Sequence, residues 1–142
     1  MADSNTWDNT NLVKALREGG VAVMPTDTIY GIVGRALNEN TVERIYKLRK
    51  RKSEKPCIIL IGDISELKKF GIFLTETQKS EIKRDTEPTS FVLDCIDKKF
   101  AYLHRGTKTL AFRIPDSQPL RNLLIKTGPL IAPSANPEGL LP

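Results

Sequence analysis

The apolar residues of this chain come in short runs, most of them closed off by proline, glycine or charge. Val21-Ala22-Val23-Met24 stops at Pro25, Cys57 to Ile61 stops at Gly62, Phe91-Val92-Leu93 stops at Asp94, and Pro129 to Ala132 stops at Pro133. Runs of that length suit buried strands and fall far below the roughly 18 apolar residues that cross a membrane. Proline cannot donate to a central ladder, so Pro25 marks where the first strand must end. A chain that presents its hydrophobic residues in strand-length pieces has to assemble a sheet.

Helical spacing fills the intervals. Thr10 or Asn11 can cap a helix through Arg17, with Leu12, Val13 and Leu16 on one face and Gly19-Gly20 as the stop. Asn40 lies three residues before Glu43, a capping-box spacing, and the helix that follows puts Val42, Ile45 and Leu48 at core spacing. Further helices are expected over Ile64–Phe70, Thr75–Arg84 and Leu120–Ile125. Thr89–Leu93, Phe100–Leu103 and Thr109–Ile114 read as strands, the last two separated by a turn at Arg105-Gly106-Thr107. Strands interleave with helices early and follow one another later. That order predicts an α/β fold with a mixed sheet and packed helices, not a purely doubly wound one.

A length of 142 residues suits one domain, expected over residues 12–142 behind a polar leader at 1–11 that lacks the apolar stretch of a signal peptide. With 39% hydrophobic residues the chain can build a core and is no disordered polymer. The two cysteines offer neither a metal-site spacing nor a disulfide framework, and both are expected to be core thiols of a cytoplasmic protein. The net charge of +5 favours anionic partners such as phosphates, nucleotides or RNA.

Four segments could carry chemistry. Pro25-Thr26-Asp27-Thr28-Ile29-Tyr30-Gly31 follows a strand, where open α/β sheets hold ligands; taken alone it reads first as a turn bonded to its own backbone. Arg49-Lys50-Arg51-Lys52-Ser53-Glu54-Lys55 holds five cations in seven residues before a core strand. Cations favour a helix C-terminus, but five exceed what capping needs, and arginine forks and lysine ammoniums suit phosphate oxygens. On the strand Thr109 to Ile114, alternation puts Leu110 and Phe112 on one face and Thr109, Ala111 and Arg113 on the other. Arg113 must meet either a ligand anion or a structural acid such as Asp94 or Asp116. The loop Ser134-Ala135-Asn136, after Ala132-Pro133, sets a hydroxyl and an amide two residues apart, able to grip a phosphate or ribose or to close an Asx turn. No Walker A loop, dinucleotide-binding glycine pattern or nucleophile elbow is present, and the single histidine, His104, makes no zinc motif.

In this order the four segments resemble the YrdC-like family of threonylcarbamoyl-AMP synthases, from about Gly19 onward. The family pattern is a Pro-Thr-(Asp/Glu)-Thr-x-Tyr-Gly turn, a Lys-x-Arg motif before an apolar strand, an Ala-Val-Arg-x-Pro strand and a Ser-Ala-Asn loop. The corresponding residues are Pro25 to Gly31, Arg49-Lys50-Arg51, Ala111-Phe112-Arg113-Ile114-Pro115 and Ser134-Ala135-Asn136. The resemblance implies a twisted open sheet of parallel and antiparallel strands with flanking helices. It implies synthesis of threonylcarbamoyl-AMP and pyrophosphate from ATP, bicarbonate and L-threonine, with Mg²⁺ carried on the ATP and no catalytic base assigned. Thr28, Arg113 and Ala132 would line the threonine pocket; Arg49, Arg51, Lys55, Thr109, Ser134 and Asn136 would lie on the ATP side. Downstream enzymes would pass the group to tRNA, so tRNA or double-stranded RNA is a further expected partner.

The chain departs from the pattern in three places. Arg49 replaces the lysine of Lys-x-Arg, and Thr86-Glu87-Pro88-Thr89-Ser90 stands where the family often has Pro-Gly-Pro before its Thr-Phe-Val strand. The sequence ends at Pro142, whereas family members continue past the Ser-Ala-Asn loop, so a C-terminally incomplete domain is expected. Two alternatives keep the fold without turnover: an RNA-binding or ribosome-associated module, and an inactive nucleotide-binding relative.

Overall fold

The computed structural model describes residues 10–26, 30–49, 57–83 and 89–133. Their elements run α1 (Thr10–Arg17), β1 (Ala22–Pro25), β2 (Tyr30–Arg35), α2 (Glu39–Arg49), β3 (Ile59–Leu60), a 3-10 helix (Ile64–Phe70) and α3 (Glu76–Lys83). The second half holds β4 (Thr89–Asp94), a 3-10 turn (Lys98–Phe100) leading into α4 (Ala101–His104), β5 (Thr109–Ile114), α5 (Gln118–Thr127) and β6 (Leu130–Ile131). The described strands form one sheet in the order β1-β2-β6-β3-β5-β4. Its described pairs are antiparallel except β3 with β5, so the sheet is mixed, as the order of elements predicts.

Each strand sends alternate side chains to opposite faces, and the helices divide between the two. On one face Ile59, Phe112 and Ile131 meet Val42, Ile45 and Tyr46 of α2, with Leu67, Phe70, Phe100 and Leu103 from the segments after β3 and β4. Phe112 lies at the centre, edge-on to Phe70 at 5.3 Å and stacked with Phe91 at 5.9 Å between centroids. On the other face Leu60, Leu130, Val33 and Met24 pack under Leu16 of α1 and Leu120, Leu123 and Leu124 of α5. Cys57 and Cys95 are buried and neither is in a disulfide, as expected of core cysteines.

The structure corrects four local readings. Phe100–Leu103 is not a strand: the Asp97 side chain accepts from the Lys99 N–H at 2.9 Å and starts a helical turn, and Phe100 and Leu103 are buried three apart on one helix face. The cap of α2 is Asn38, whose Oδ1 accepts from the Thr41 N–H at 3.1 Å, so Asn40 lies within the first turn. Leu48 is 54% exposed, because the stripe of Val42, Ile45 and Tyr46 leaves it beyond its edge. Finally, β2 was not expected. Its sequence, Tyr30-Gly31-Ile32-Val33-Gly34-Arg35, hides the alternation behind two glycines. Both permit close approach: a Cβ on Gly34 would lie 2.5 Å from Thr41 Cγ2 of α2, and one on Gly31 would lie 3.0 Å from the Pro133 carbonyl oxygen.

Candidate functional site

The register brings the described flanks of three of the sequence segments, and Thr109 at the start of the fourth, to one end of the sheet. β3 and β5 run parallel, so the start of β3, which follows the cation-rich segment, lies at the same end as Thr109, which opens β5. β6 runs against β3 and therefore leaves the sheet there, through Ala132 and Pro133 toward the Ser-Ala-Asn loop. β2 starts at that end and β1 finishes there, with Pro25 paired to Tyr30. Two hydrogen bonds lock the arrangement: Ile32 N–H to the Pro133 carbonyl at 3.2 Å, and Ala132 N–H to the Ile58 carbonyl at 3.0 Å.

Of the expected site residues, Thr109, Arg113 and Ala132 are described with their side chains. The backbone of Arg49 is described as the last residue of α2; Thr28, Arg51, Lys55, Ser134 and Asn136 lie outside the described residues. Leu60 pairs with Arg113 on one side and Leu130 on the other, so Thr109, Arg113 and Ala132 share one sheet face. Across β4 that face continues through Ser90, Val92 and Asp94, all exposed. Thr109 and Arg113 are four residues apart on one strand, about 13 Å at strand rise. The Arg113 guanidinium donates from Nη1 to the Ser90 hydroxyl oxygen at 2.8 Å. Asp94, one of the two acids considered for Arg113, sits opposite Thr109 at the other end of the strand pair.

Sequence reasoning passed over a second cluster beneath this end. The Arg105 guanidinium lies 3.7 Å above the Tyr46 ring, and its Nη2 lies 2.9 Å from Glu43 Oε1. Neither Nε nor Nη2 makes an aligned hydrogen bond among the described residues, and the ring face and the Glu43 carboxylate both attract the group. Burial first, then the neighbouring Cys57 thiol to which it is hydrogen-bonded, push the Tyr46 hydroxyl up to about 12, with Arg105 acting in the opposite sense. Burial likewise lifts Tyr102 to about 12, helped by Glu39, while the Tyr102 hydroxyl donates to the Ala36 carbonyl at 2.8 Å. The only advance signal for Arg105 is its place in a turn, where it takes the left-handed φ of 54° that ends α4.

Among the described residues no group of His, Cys, Asp and Glu is arranged to hold a metal ion, and no helix is long and apolar enough to cross a membrane. A cleft of about 180 Å³ between the 3-10 helix and α3, lined by Asp63, Leu67, Ile72, Leu74 and Lys79 among others, lies beyond the opposite end of β3.

A mixed sheet of this strand order, with helices on both faces, defines an α/β domain of the YrdC-like fold. The chain belongs to the Sua5/YciO/YrdC family, whose model, described under telomere recombination, matches residues 14–142. It is 37% identical over 128 residues to the threonylcarbamoyl-AMP synthase of Bacillus subtilis, covering 87% of this chain and 37% of that protein. A double variant of Pyrococcus abyssi Sua5 superposes with a TM-score of 0.78 at 29% identity, over 91% of this chain and 38% of that one. P. abyssi Sua5 complexed with L-threonine superposes with a TM-score of 0.70 at 27% identity, over 89% of this chain and 38% of that one. The chain thus spans a little over a third of the length of these relatives.

Proposed function

We propose that this chain carries the substrate-binding core of an L-threonylcarbamoyladenylate synthase acting in the cytoplasm. The observation that carries the reading is that the described flanks of three segments meet Thr109 at one end of the sheet, while Ala132 and, toward the other end of β5, Arg113 share one sheet face. The similarity to a Sua5 complexed with L-threonine supports threonine as one substrate. The spacing of Thr109 and Arg113 supports an extended occupant, with the nucleotide toward Thr109 and the amino acid toward Arg113.

In this reading the threonine amine and bicarbonate give a carbamate and water. A carbamate oxygen attacks the α-phosphorus of ATP, the bond to the β-phosphate oxygen breaks, and pyrophosphate leaves. Arg49, Arg51 and Lys55 hold the phosphates, and Ser134 and Asn136 add contacts on the nucleotide side. Arg113 holds the threonine carboxylate, with Thr28 and Ala132 around the amino acid. Magnesium enters with the ATP as part of the substrate. Cations and hydroxyls suffice for such a transfer, because positioning and charge stabilisation supply most of the rate. The product is passed on by enzymes that modify tRNA.

The test is calorimetric titration of the 142-residue chain with Mg–ATP, with and without threonine and bicarbonate, alongside a pyrophosphate-release assay. Saturable ATP binding with threonine-dependent pyrophosphate release, and loss of ATP affinity in Arg51→Ala, are the expected results. ATP binding without release points to a nucleotide-binding relative. Absence of ATP binding, with salt-sensitive RNA binding in its place, overturns the reading.

A further inference from the structure

The cation-rich segment departs from one described anchor and returns to another. It leaves α2 after Arg49, three residues beyond Tyr46, and rejoins the described chain at Cys57. Tyr46 and Cys57 are both buried in the same core cluster. Arg105 covers the Tyr46 ring at 3.7 Å and pairs with Glu43, one turn earlier on α2, at 2.9 Å. Its side chain is only 11% exposed, so this cation does not serve as a freely solvated surface charge. A residue from the turn before β5 thus holds the helix that precedes the segment, over the ring that touches the residue following it.

We propose that Arg105 and Tyr46 are positioning residues that hold the end of α2 and Cys57, the described flanks of the cation-rich segment, at a fixed separation on which ATP affinity depends. The inference rests on the ATP-binding reading for its effect on affinity. The restraint itself is geometric. Arginine suits the task because its planar guanidinium can lie on the ring while its edge faces Glu43, which a lysine ammonium cannot do. Tyr46 has a separate part, since its ring carries Arg105 and its hydroxyl meets the Cys57 thiol. Loosening a supporting contact by about an ångström can cost up to roughly a hundredfold at a site it does not touch.

The experiment compares Arg105→Ala, Arg105→Lys, Tyr46→Phe and Arg51→Ala in the full chain. Three quantities are read: Mg–ATP affinity, threonine affinity, and the alkylation rate of Cys57 relative to Cys95 by mass spectrometry. Cys95 is an internal control, buried at 4% exposure against 5% for Cys57. Arg105→Ala is expected to weaken ATP about tenfold or more, to leave threonine within about twofold, and to unmask Cys57 selectively. Arg105→Lys recovers part of this, and Tyr46→Phe weakens ATP without changing net charge. Parallel loss of both ligands with both cysteines unmasked would reduce Arg105 to a general structural residue and overturn the proposal. ATP affinity lost in Arg51→Ala but kept in Arg105→Ala would overturn it while leaving the proposed function intact. Selective unmasking of Cys57 in a chain that binds no ATP would refute the functional reading, and with it the positioning role.

Discussion

Substituting Gly31 and Gly34 separately by alanine tests whether the sheet margin, and not the sheet in general, is the binding site. Neither glycine has a positive φ, so alanine meets no backbone penalty and the effect is steric. At Gly34 the new methyl lies 2.5 Å from Thr41 Cγ2 and 2.8 Å from Ile45 Cδ1, so α2 must retreat by about 0.6 to 0.9 Å to restore contact near 3.4 Å. Overpacking of that kind costs about 1–3 kcal/mol, offset by about 0.4–1 kcal/mol from a stiffer unfolded chain. The net loss of about 1–2 kcal/mol lowers Tm by roughly 3–10 °C for a domain of this size. At Gly31 the one tight approach is to the Pro133 carbonyl oxygen at 3.0 Å, which calls for a shift of about 0.4 Å, while Thr26 Cγ2 at 3.6 Å is in ordinary contact. The shift strains one hydrogen bond, from Ile32 N–H, worth about 0.5–1.5 kcal/mol, and the entropic gain nearly cancels that loss. Gly31→Ala should therefore melt within a few degrees of the parent while binding Mg–ATP about tenfold more weakly, because Pro133 leads directly into Ser134 and Asn136. Thermal melts and calorimetric titration of both variants make the comparison. If Gly31→Ala melts as low as Gly34→Ala and binds ATP like the parent, the margin is scaffold and the argument for the site fails.

Arg113→Ala should weaken threonine more than ATP in the same titrations; equal loss of both, with a lowered Tm, would mark Arg113 as a structural residue tied to Ser90. Phe112→Ala removes a fully buried ring touching Phe70 and Phe91 and should cost about 3–5 kcal/mol in denaturant unfolding. Tyr46 and Tyr102 titrate higher in the fold, at about 12, than at their ordinary 10.0, so the folded state holds these protons longer than the unfolded one. Stability from this source is complete below pH 10 and is lost as pH rises toward 12, so Tm should fall steeply across that window and less steeply in Tyr46→Phe.

How much of this was legible in the sequence depended on how local the determining contacts are. The limits of β5 follow from alternation alone, because Leu110 and Phe112 face the core while their neighbours do not. The two glycines of β2 erase that signal, and their purpose appears only when Pro133 and α2 are seen beside them. Phe100 and Leu103 suit a strand or a helix equally until Asp97 is seen capping the turn. The segments of the candidate site were legible as motifs, but the nearness of their described flanks was not, since it is set by the register of β6 against β2 and β3. Arg105 was illegible: nothing local to a turn arginine announces Tyr46 and Glu43 on a distant helix.

The position of β6 bears on how the molecule comes together in time. Though last of the described strands in sequence, it lies between β2 and β3, like a keystone set after both sides of an arch. Before Leu130 and Ile131 are available, the β1–β2 hairpin and the β3–β5–β4 unit have no strand joining them, and the ladder edges of β2 and β3 are bare. On the ribosome these halves would wait side by side until residues 130–133 emerge. Closure would then complete the sheet and the margin proposed to bind ligand in one step, because the strand that joins the halves also delivers Pro133 to its place. A chain ended at Gly128 should accordingly lose the single cooperative melt of the parent, and with it every trace of ligand binding.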